Sequence, residues 1–207
     1  MGFDKILAPL AGRTVLEWSL SVFDSLDCVD RIVLVCPRGQ HPQFSAIGQA
    51  FGKLCGVVEG GLERPDSVLA GARALKEVGC SGFVAVHDAA RPLVLPTAVE
   101  DCFEAGRIVG AAALAERVAD TLHQTNSEAL VTGHVSRDNL WRVQTPQILP
   151  LEDLLGMKGG RGFTDEVSAL FSLQKNAVLV ENSSPNFKIT VPADLLLANA
   201  VLQSRLS

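Results

Sequence analysis

Short β-branched runs alternate along this chain with segments of helical period, and that alternation restricts the fold more than any other feature. The stretch "RIVLVCP" (31–37) is apolar on both faces, as a strand buried inside a parallel sheet must be. "QFSAIGQAF" then reads as helix and "LCGVVEG" as a second strand. "DSVLAGARALKEV" carries apolar residues at helical spacing, with Asp66 or Ser67 placed to cap its N-terminus. "GFVAVHDAA" is a third strand and "PTAVEDCFEAGRIV" the next helix. A β-α-β-α order of this kind predicts an α/β fold, a doubly wound, mostly parallel sheet wrapped by helices.

The rhythm changes after Gly110. "VADTLHQ" and "ALVTGHV", separated by the polar "TNSE", predict two paired strands joined by a turn. "LWRVQTPQILP" has no helical period. Helix returns at "TDEVSALFSL", followed by strands at "AVLVEN" and "NFKITV" and a closing helix, "PADLLLANAVLQSRL", with Pro192 near its first turn. No repeat or linker interrupts the chain, so the expectation is one domain over 1–207 with a protruding β-arm at about 114–144.

The 207 residues suffice for one sizeable core. A formal net charge of -5 argues against a nucleic-acid or anionic-membrane surface, so phosphate recognition has to be local. The five cysteines (Cys28, Cys36, Cys55, Cys80, Cys102) are odd in number and form no C-x-x-C pair, which predicts reduced thiols and no zinc site. With no secretory signal and no membrane-length apolar run, the expected location is cytoplasmic.

In open parallel sheets ligands bind at the carboxyl ends of the strands. Three stretches fall there. In "VHDAARP", Asp88 and Arg91 follow a buried strand beside small alanines; a carboxylate so placed suits a metal–phosphate or a sugar hydroxyl. Read alone, it serves equally as a turn residue before Pro92. In "EGGLERPDSV", Gly60 and Gly61 lead into a helix N-terminus near Ser67, where backbone amides and the helix dipole favour an anion or a base carbonyl. In "NFKIT", Lys188 interrupts an apolar strand pattern, a position more often simply solvated. His41, His123 and His134 lack the mutual spacing of metal ligands. No P-loop, G-x-G-x-x-G or G-x-S-x-G sequence occurs.

Taken together, "PLAGRTVLEWSL", "GGLERPDSVLAG", "VHDAARPLV", "LWRVQTPQ", "TDEVSAL" and "NFKITVPADL" resemble, in order and approximate spacing, the 2-C-methyl-D-erythritol 4-phosphate cytidylyltransferase family of the non-mevalonate isoprenoid pathway. The resemblance implies a Rossmann-like nucleotidyltransferase fold. It also implies a homodimer whose arm reaches the partner's site, and attack of a phosphate monoester on the α-phosphorus of CTP with Mg2+ or another divalent cation present. Lys5 and Lys188 match the family's catalytic lysines, one acting on the triphosphate and the other on the attacking phosphate. Gly61 and Ser67 match cytosine and ribose contacts. Asp88 matches the acidic residue between metal, nucleotide and substrate, and Arg91 its neighbour at the polyol phosphate. Asn186 is expected as a second metal-side oxygen, and Asp120 and Thr121 fall in the arm where the family has a V-R-D-T run. Lysines with one metal-facing carboxylate are the residue types in-line phosphoryl transfer needs, since it depends on placement and charge neutralisation.

The chain also departs from the family. Ala119, Pro150 and Leu151 stand where substrate-orienting arginines are common; His134 replaces a frequent threonine; Arg161, in "GMKGGRG", is a candidate substitute for the arginines. Of the family's A-A-G-x-G-x-R-M-G phosphate loop only Met1 and Gly2 match. The expectations are therefore that Met1 is an internal methionine of a longer protein, and that the chain as given turns over CTP poorly. A sister enzyme for another alditol phosphate, such as ribitol 5-phosphate, stays open, as does a non-catalytic relative that has lost its nucleotide loop.

Overall fold

In the computed structural model, which describes residues 5–157 and 165–206, the chain opens with a two-residue strand pair, β1 (Pro9–Leu10) and β2 (Arg13–Thr14). The pair leads straight into α1 (Val15–Ser25). Thr14 caps that helix reciprocally: its hydroxyl accepts from the Glu17 N–H at 3.2 Å, and its own N–H donates to the Glu17 carboxylate at 2.6 Å. Next come β3 (Ile32–Cys36), α2 (His41–Gly48), β4 (Leu54–Glu59), α3 (Arg64–Glu77), β5 (Phe83–Val86) and α4 (Pro96–Val109). The alternation expected from the apolar runs is thus present. The start of α3 differs, because its cap is Glu63 and not Asp66 or Ser67. Pro65 favours the first turn, and the Asp66 carboxylate accepts from the Glu63 N–H at 3.3 Å from inside the helix.

The second half contains β6 (Ala112–Arg117), β7 (Leu122–Thr125), β8 (Val131–Val135), β9 (Trp141–Pro150), α5 (Leu151–Gly156), α6 (Glu166–Ser172), β10 (Val178–Glu181) and α7 (Pro192–Leu206). The larger sheet runs β10-β6-β9-β5; β9 is antiparallel to both neighbours, and β10 is parallel to β6. Strands β3 and β4 form a separate parallel pair, and β7 with β8 an antiparallel one. Residues 114–117 and 141–144 belong to the larger sheet, so the projecting hairpin is narrower than the stretch 114–144. "NFKITV" is not a strand. It makes a sheet-like contact where the Ile189 N–H donates to the Ala90 carbonyl at 2.8 Å. The alternation there comes from packing, since the wholly buried Ile189 sits among Leu93, Ala198 and Leu202.

Helices cover both faces of the sheet. On one, Phe23 of α1 and Val99, Cys102 and Phe103 of α4 pack on Ala112, Leu114 and Ile148, with Phe83 and Ala85 beside them. On the other, Ala72 of α3, Leu151 and Leu154 of α5 and Leu170 of α6 pack on Leu149, beside Val84 and Val86. The sheet is interrupted in the middle. Among the described residues, strand β3 pairs only with β4 and β5 only with β9, and their remaining edges line a slot of about 200 Å³. Ile32, Val33 and Leu34 form one wall and Phe83, Val84 and Ala85 the other. Leu20 and Phe23 line it from α1, Leu75 from α3. All five cysteines are free thiols. Among the described residues no helix is long and apolar enough to cross a membrane.

Candidate functional site

Asp88 follows β5 by two residues, and its backbone is fixed on both sides. Its N–H donates to the Thr145 hydroxyl of β9 at 3.0 Å, and its carbonyl accepts from the Arg91 N–H at 2.9 Å, closing the turn. The carboxylate then meets three cations from different parts of the chain: Lys188 at 3.1 Å, Arg91 at 3.4 Å and Arg64 at 3.6 Å. Burial pushes the Asp88 carboxyl up, but the Lys188 ammonium, with Arg64 and Arg91 behind it, holds it below its ordinary value. A charged Asp88 inside a net positive cluster is a place for anionic ligands.

Arg91 is anchored by more than Asp88. Its Nη1 donates to the Asn186 carbonyl at 2.8 Å, so the "VHDAARP" turn and the 186–189 segment are held as one unit. Asn186 is buried; its amide nitrogen donates to Gln144 Oε1 at 2.9 Å and to the Thr145 carbonyl at 3.0 Å. Its Oδ1, also buried, has no hydrogen-bond partner. His87 completes this floor: one ring nitrogen lies 3.2 Å from the Arg91 carbonyl and the other 3.2 Å from the Thr145 hydroxyl. The carbonyl only accepts, so Nε2 carries the proton and Nδ1 accepts from Thr145. Burial pushes the imidazole down to about 4 and keeps it neutral.

Beside this cluster, β4 ends in Gly60 and Gly61 before α3. A Cβ on Gly60 would meet Ser67 Oγ at 2.5 Å, and one on Gly61 would meet the Asp66 Cβ at 2.2 Å, so only glycine lets the loop fold so closely onto the helix. The Gly61 N–H donates to Ser67 Oγ at 3.2 Å, and that hydroxyl donates to the Glu63 carbonyl at 3.3 Å. The two expected nucleotide contacts are therefore directly bonded to each other. Arg64, in the first turn of α3, connects this loop to Asp88.

Of the sequence candidates, the structure gathers Asp88, Arg91, Lys188 and Asn186 in one connected cluster, with Gly61 and Ser67 on the adjoining loop. Lys5 forms no ion pair with a described carboxylate; its charge acts weakly on Asp194, which caps α7. Asp120 and Thr121 are exposed between β6 and β7, outside these bonds. Arg161 and Met1–Gly2 lie outside the described residues. Of the positions lacking an arginine, Ala119 is exposed, Pro150 ends β9, and Leu151 is buried under α3. Arg64, His87, Gln144, Thr145 and Glu166 were not anticipated as site residues. Their own motifs, "GGLERPDSV", "VHDAARP", "LWRVQTPQ" and "TDEVSAL", were the available signal.

Among the described residues no three His, Cys, Asp or Glu side chains gather as a metal site. The donors present nonetheless fit a hard cation that arrives with phosphates, which takes one or two protein oxygens and the rest from substrate. Asp88 offers a charged carboxylate, and Asn186 Oδ1 is an orphaned acceptor that a buried amide rarely keeps without use.

A glycine turn feeding a helix, and one carboxylate balanced by lysine and arginine at the strand ends, suit phosphorylated ligands in a doubly wound α/β protein. Comparison with known proteins makes this one a nucleotidyltransferase. The particular family follows from sequence. Residues 1–204 match the profile of IspD, 2-C-methyl-D-erythritol 4-phosphate cytidylyltransferase, and the chain belongs to that family. A 2-C-methyl-D-erythritol 4-phosphate cytidylyltransferase of Alkaliphilus oremlandii is 33% identical over 98% of this chain and 89% of its own length. The fold agrees with a solved 4-diphosphocytidyl-2C-methyl-D-erythritol synthase at a TM-score of 0.86, with 30% identity over 96% of this chain and 94% of that one. It also agrees with the 2-C-methyl-D-erythritol 4-phosphate cytidylyltransferase of Thermus thermophilus at 0.80, with 33% identity over the same shares.

Proposed function

We propose that this enzyme joins CTP and 2-C-methyl-D-erythritol 4-phosphate to give CDP-methylerythritol and pyrophosphate. The observation that carries this reading is the convergence of Lys188, Arg91 and Arg64 on Asp88 beside the Gly61–Ser67 loop. A phosphate oxygen of the polyol attacks the α-phosphorus of CTP, a new P–O bond forms, and the bond to the β-phosphate bridging oxygen breaks. Charge accumulates on phosphate oxygens throughout, so fixed cations lower the barrier most.

Lys188 is the residue best placed to follow that charge. Its ammonium rests on Asp88 at 3.1 Å with its side chain 38% exposed, so an arriving phosphate can share it without breaking a buried pair. Arg91, held by the Asn186 carbonyl, orients the polyol phosphate. Gly61 and Ser67 receive the cytosine and ribose, and Lys5 the triphosphate. Asp88 and Asn186 would hold Mg2+ or another divalent cation, which neutralises and orients the triphosphate when bound. The hairpin of β7 and β8 serves as a dimer arm, supported by its exposed Leu130 and Val131, and Asp120 and Thr121 complete the partner's substrate site from it.

Pyrophosphate release with CTP and a panel of polyol phosphates tests the assignment. Turnover confined to the methylerythritol phosphate is expected. The absence of an arginine at Ala119, Pro150 and the buried Leu151 favours ribitol 5-phosphate as the second candidate, and a preference for it would transfer the enzyme to that sister activity.

A further inference from the structure

One guanidinium is shared by two carboxylates far apart in the chain, Asp88 and Glu166. Arg64 Nη1 and Nη2 donate to Glu166 Oε1 and Oε2 at 2.7 and 3.0 Å, a two-pronged pairing between residues 102 positions apart. The remaining nitrogen, Nε, stands 3.6 Å from Asp88 Oδ1. Glu166 is only 5% exposed, and a carboxylate so buried has to be matched by a cation. With both terminal nitrogens on Glu166, it is Nε that Arg64 turns toward Asp88.

The pair joins the Gly61–Ser67 loop, Asp88 and the start of α6. Arg64 stands three residues after Gly61, and its position sets where the Gly61–Ser67 loop lies relative to Asp88. Glu166 opens α6, whose start is also held by β9: the Val167 N–H donates to Gln147 Oε1 at 3.0 Å, and Gln147 Nε2 donates to Asp165 at 3.2 Å. Without Glu166, Arg64 would turn its two terminal nitrogens toward Asp88, draw the loop with it and occupy the carboxylate that the incoming nucleotide needs.

We propose that Arg64 and Glu166 are a positioning pair: Glu166 takes the terminal nitrogens of Arg64 and limits its hold on Asp88 to the Nε contact, aligning the nucleotide loop and leaving the Asp88 charge available. This rests on the cytidylyltransferase reading. The test measures CTP affinity by calorimetry with Mg2+, and kcat and KM for each substrate, on wild type, Arg64→Lys, Arg64→Gln, Glu166→Gln and the Arg64→Gln/Glu166→Gln double variant. Each single variant should weaken CTP affinity and raise its KM by about tenfold or more, with a smaller change in the KM for the polyol phosphate. The double variant should be no worse than either single, because one link is broken in all three. Arg64→Lys keeps the charge and loses the fork, so it should behave like Arg64→Gln. Melting midpoints run alongside, and if Glu166→Gln does not fold, Arg64→Lys carries the comparison with both charges in place.

Variants that bind CTP as wild type does, effects that add in the double variant, or full function in Arg64→Lys would each overturn the pair while leaving the activity intact. A wild type that binds no CTP would instead overturn the cytidylyltransferase reading, and the pair's role with it.

Discussion

The Thr145 hydroxyl joins Asp88 to His87, accepting from the Asp88 N–H at 3.0 Å and donating to His87 Nδ1 at 3.2 Å. A single oxygen thus sets both the backbone of the charged residue and the tautomer of the neutral one. Thr145→Val removes that oxygen at nearly constant volume and leaves the Asp88 N–H without its acceptor. The expected loss is about 1–3 kcal/mol of stability, together with reduced activity as Asp88 loses its placement. Chemical unfolding and pyrophosphate release on the same preparation check both, and an unchanged midpoint in denaturant would remove the hydroxyl from this role.

His87 makes stability depend on pH in a defined window. In the unfolded chain its imidazole takes up a proton near 6.5, whereas burial holds the folded ring at about 4. Part of the ring faces the slot, yet protein packs the rest, and burial outweighs the Arg91 carbonyl and the Asp88 charge, which favour protonation. Protons therefore favour the unfolded state across that interval. Stability from this group is complete above about pH 6.5 and falls as pH drops toward 4, by roughly 3 kcal/mol in all. Asp88, whose carboxyl is held below 3.8, contributes its own loss only at still lower pH. His87→Asn keeps hydrogen-bonding capacity without titrating, and should flatten the melting profile between pH 6.5 and 4. A slope equal to wild type would assign the acid sensitivity elsewhere.

Asp88→Asn should lower turnover by about a hundredfold or more while leaving the melting midpoint within a few degrees. The backbone bonds of Asp88 survive the change, and Arg64 keeps Glu166 as its partner. Lys188→Ala should spare CTP affinity and act on kcat and on the polyol phosphate, again by about a hundredfold. A collapse of CTP affinity in Lys188→Ala would move that lysine to the nucleotide side.

Much of this was readable in the chain because buried strands are apolar on both faces: β3, β4, β5 and β10 stand out among polar helical stretches. Strand β9 was obscured by its own chemistry. Gln144, Thr145 and Gln147 are buried polar residues serving Asn186, Asp88 and α6, and they break the pattern that marks a strand. Lys188 misled in the other direction, since the alternation around it reflects the packing of Ile189 and not a ladder. The Arg64–Glu166 pair has no local spacing to reveal it; only the tertiary fold brings two helix starts together.

The hairpin should hold a dimer together. Among the described residues, strands β7 and β8 pair only with each other, and an isolated two-stranded hairpin is marginal in water. Leu130 and Val131 are 59% and 65% exposed, a surface that a second copy would cover. Light scattering at assay concentration should report twice the chain mass, and Val131→Asp should shift it toward the monomer. A wild-type monomer would refute the arm's role.

The slot between β3 and β5 should accept an extended apolar peptide. Each of these strands has one edge paired, to β4 and β9 respectively, and neither other edge has a strand partner among the described residues. Buried backbone groups without partners are costly, and an apolar cavity forfeits contacts its lining would otherwise make. Helices already cover both faces through Leu20, Phe23 and Leu75, so a strand entering edgewise meets side chains above and below and backbone on both sides. About five β-branched residues match an ordinary strand length. Such a peptide supplied in trans should stabilise the fold by about 2.7 kcal/mol at a hundred times its dissociation constant, and so raise the melting midpoint as its concentration rises. Amide exchange at Val33 and Ala85, whose N–H groups point away from β4 and β9, distinguishes pairing from adsorption, because only an inserted strand protects both walls. A peptide of the same composition with proline at alternate positions lacks the donors and should do neither. If the apolar peptide leaves the midpoint unchanged at saturating concentration, or stabilises without protecting these amides, the slot does not receive a strand.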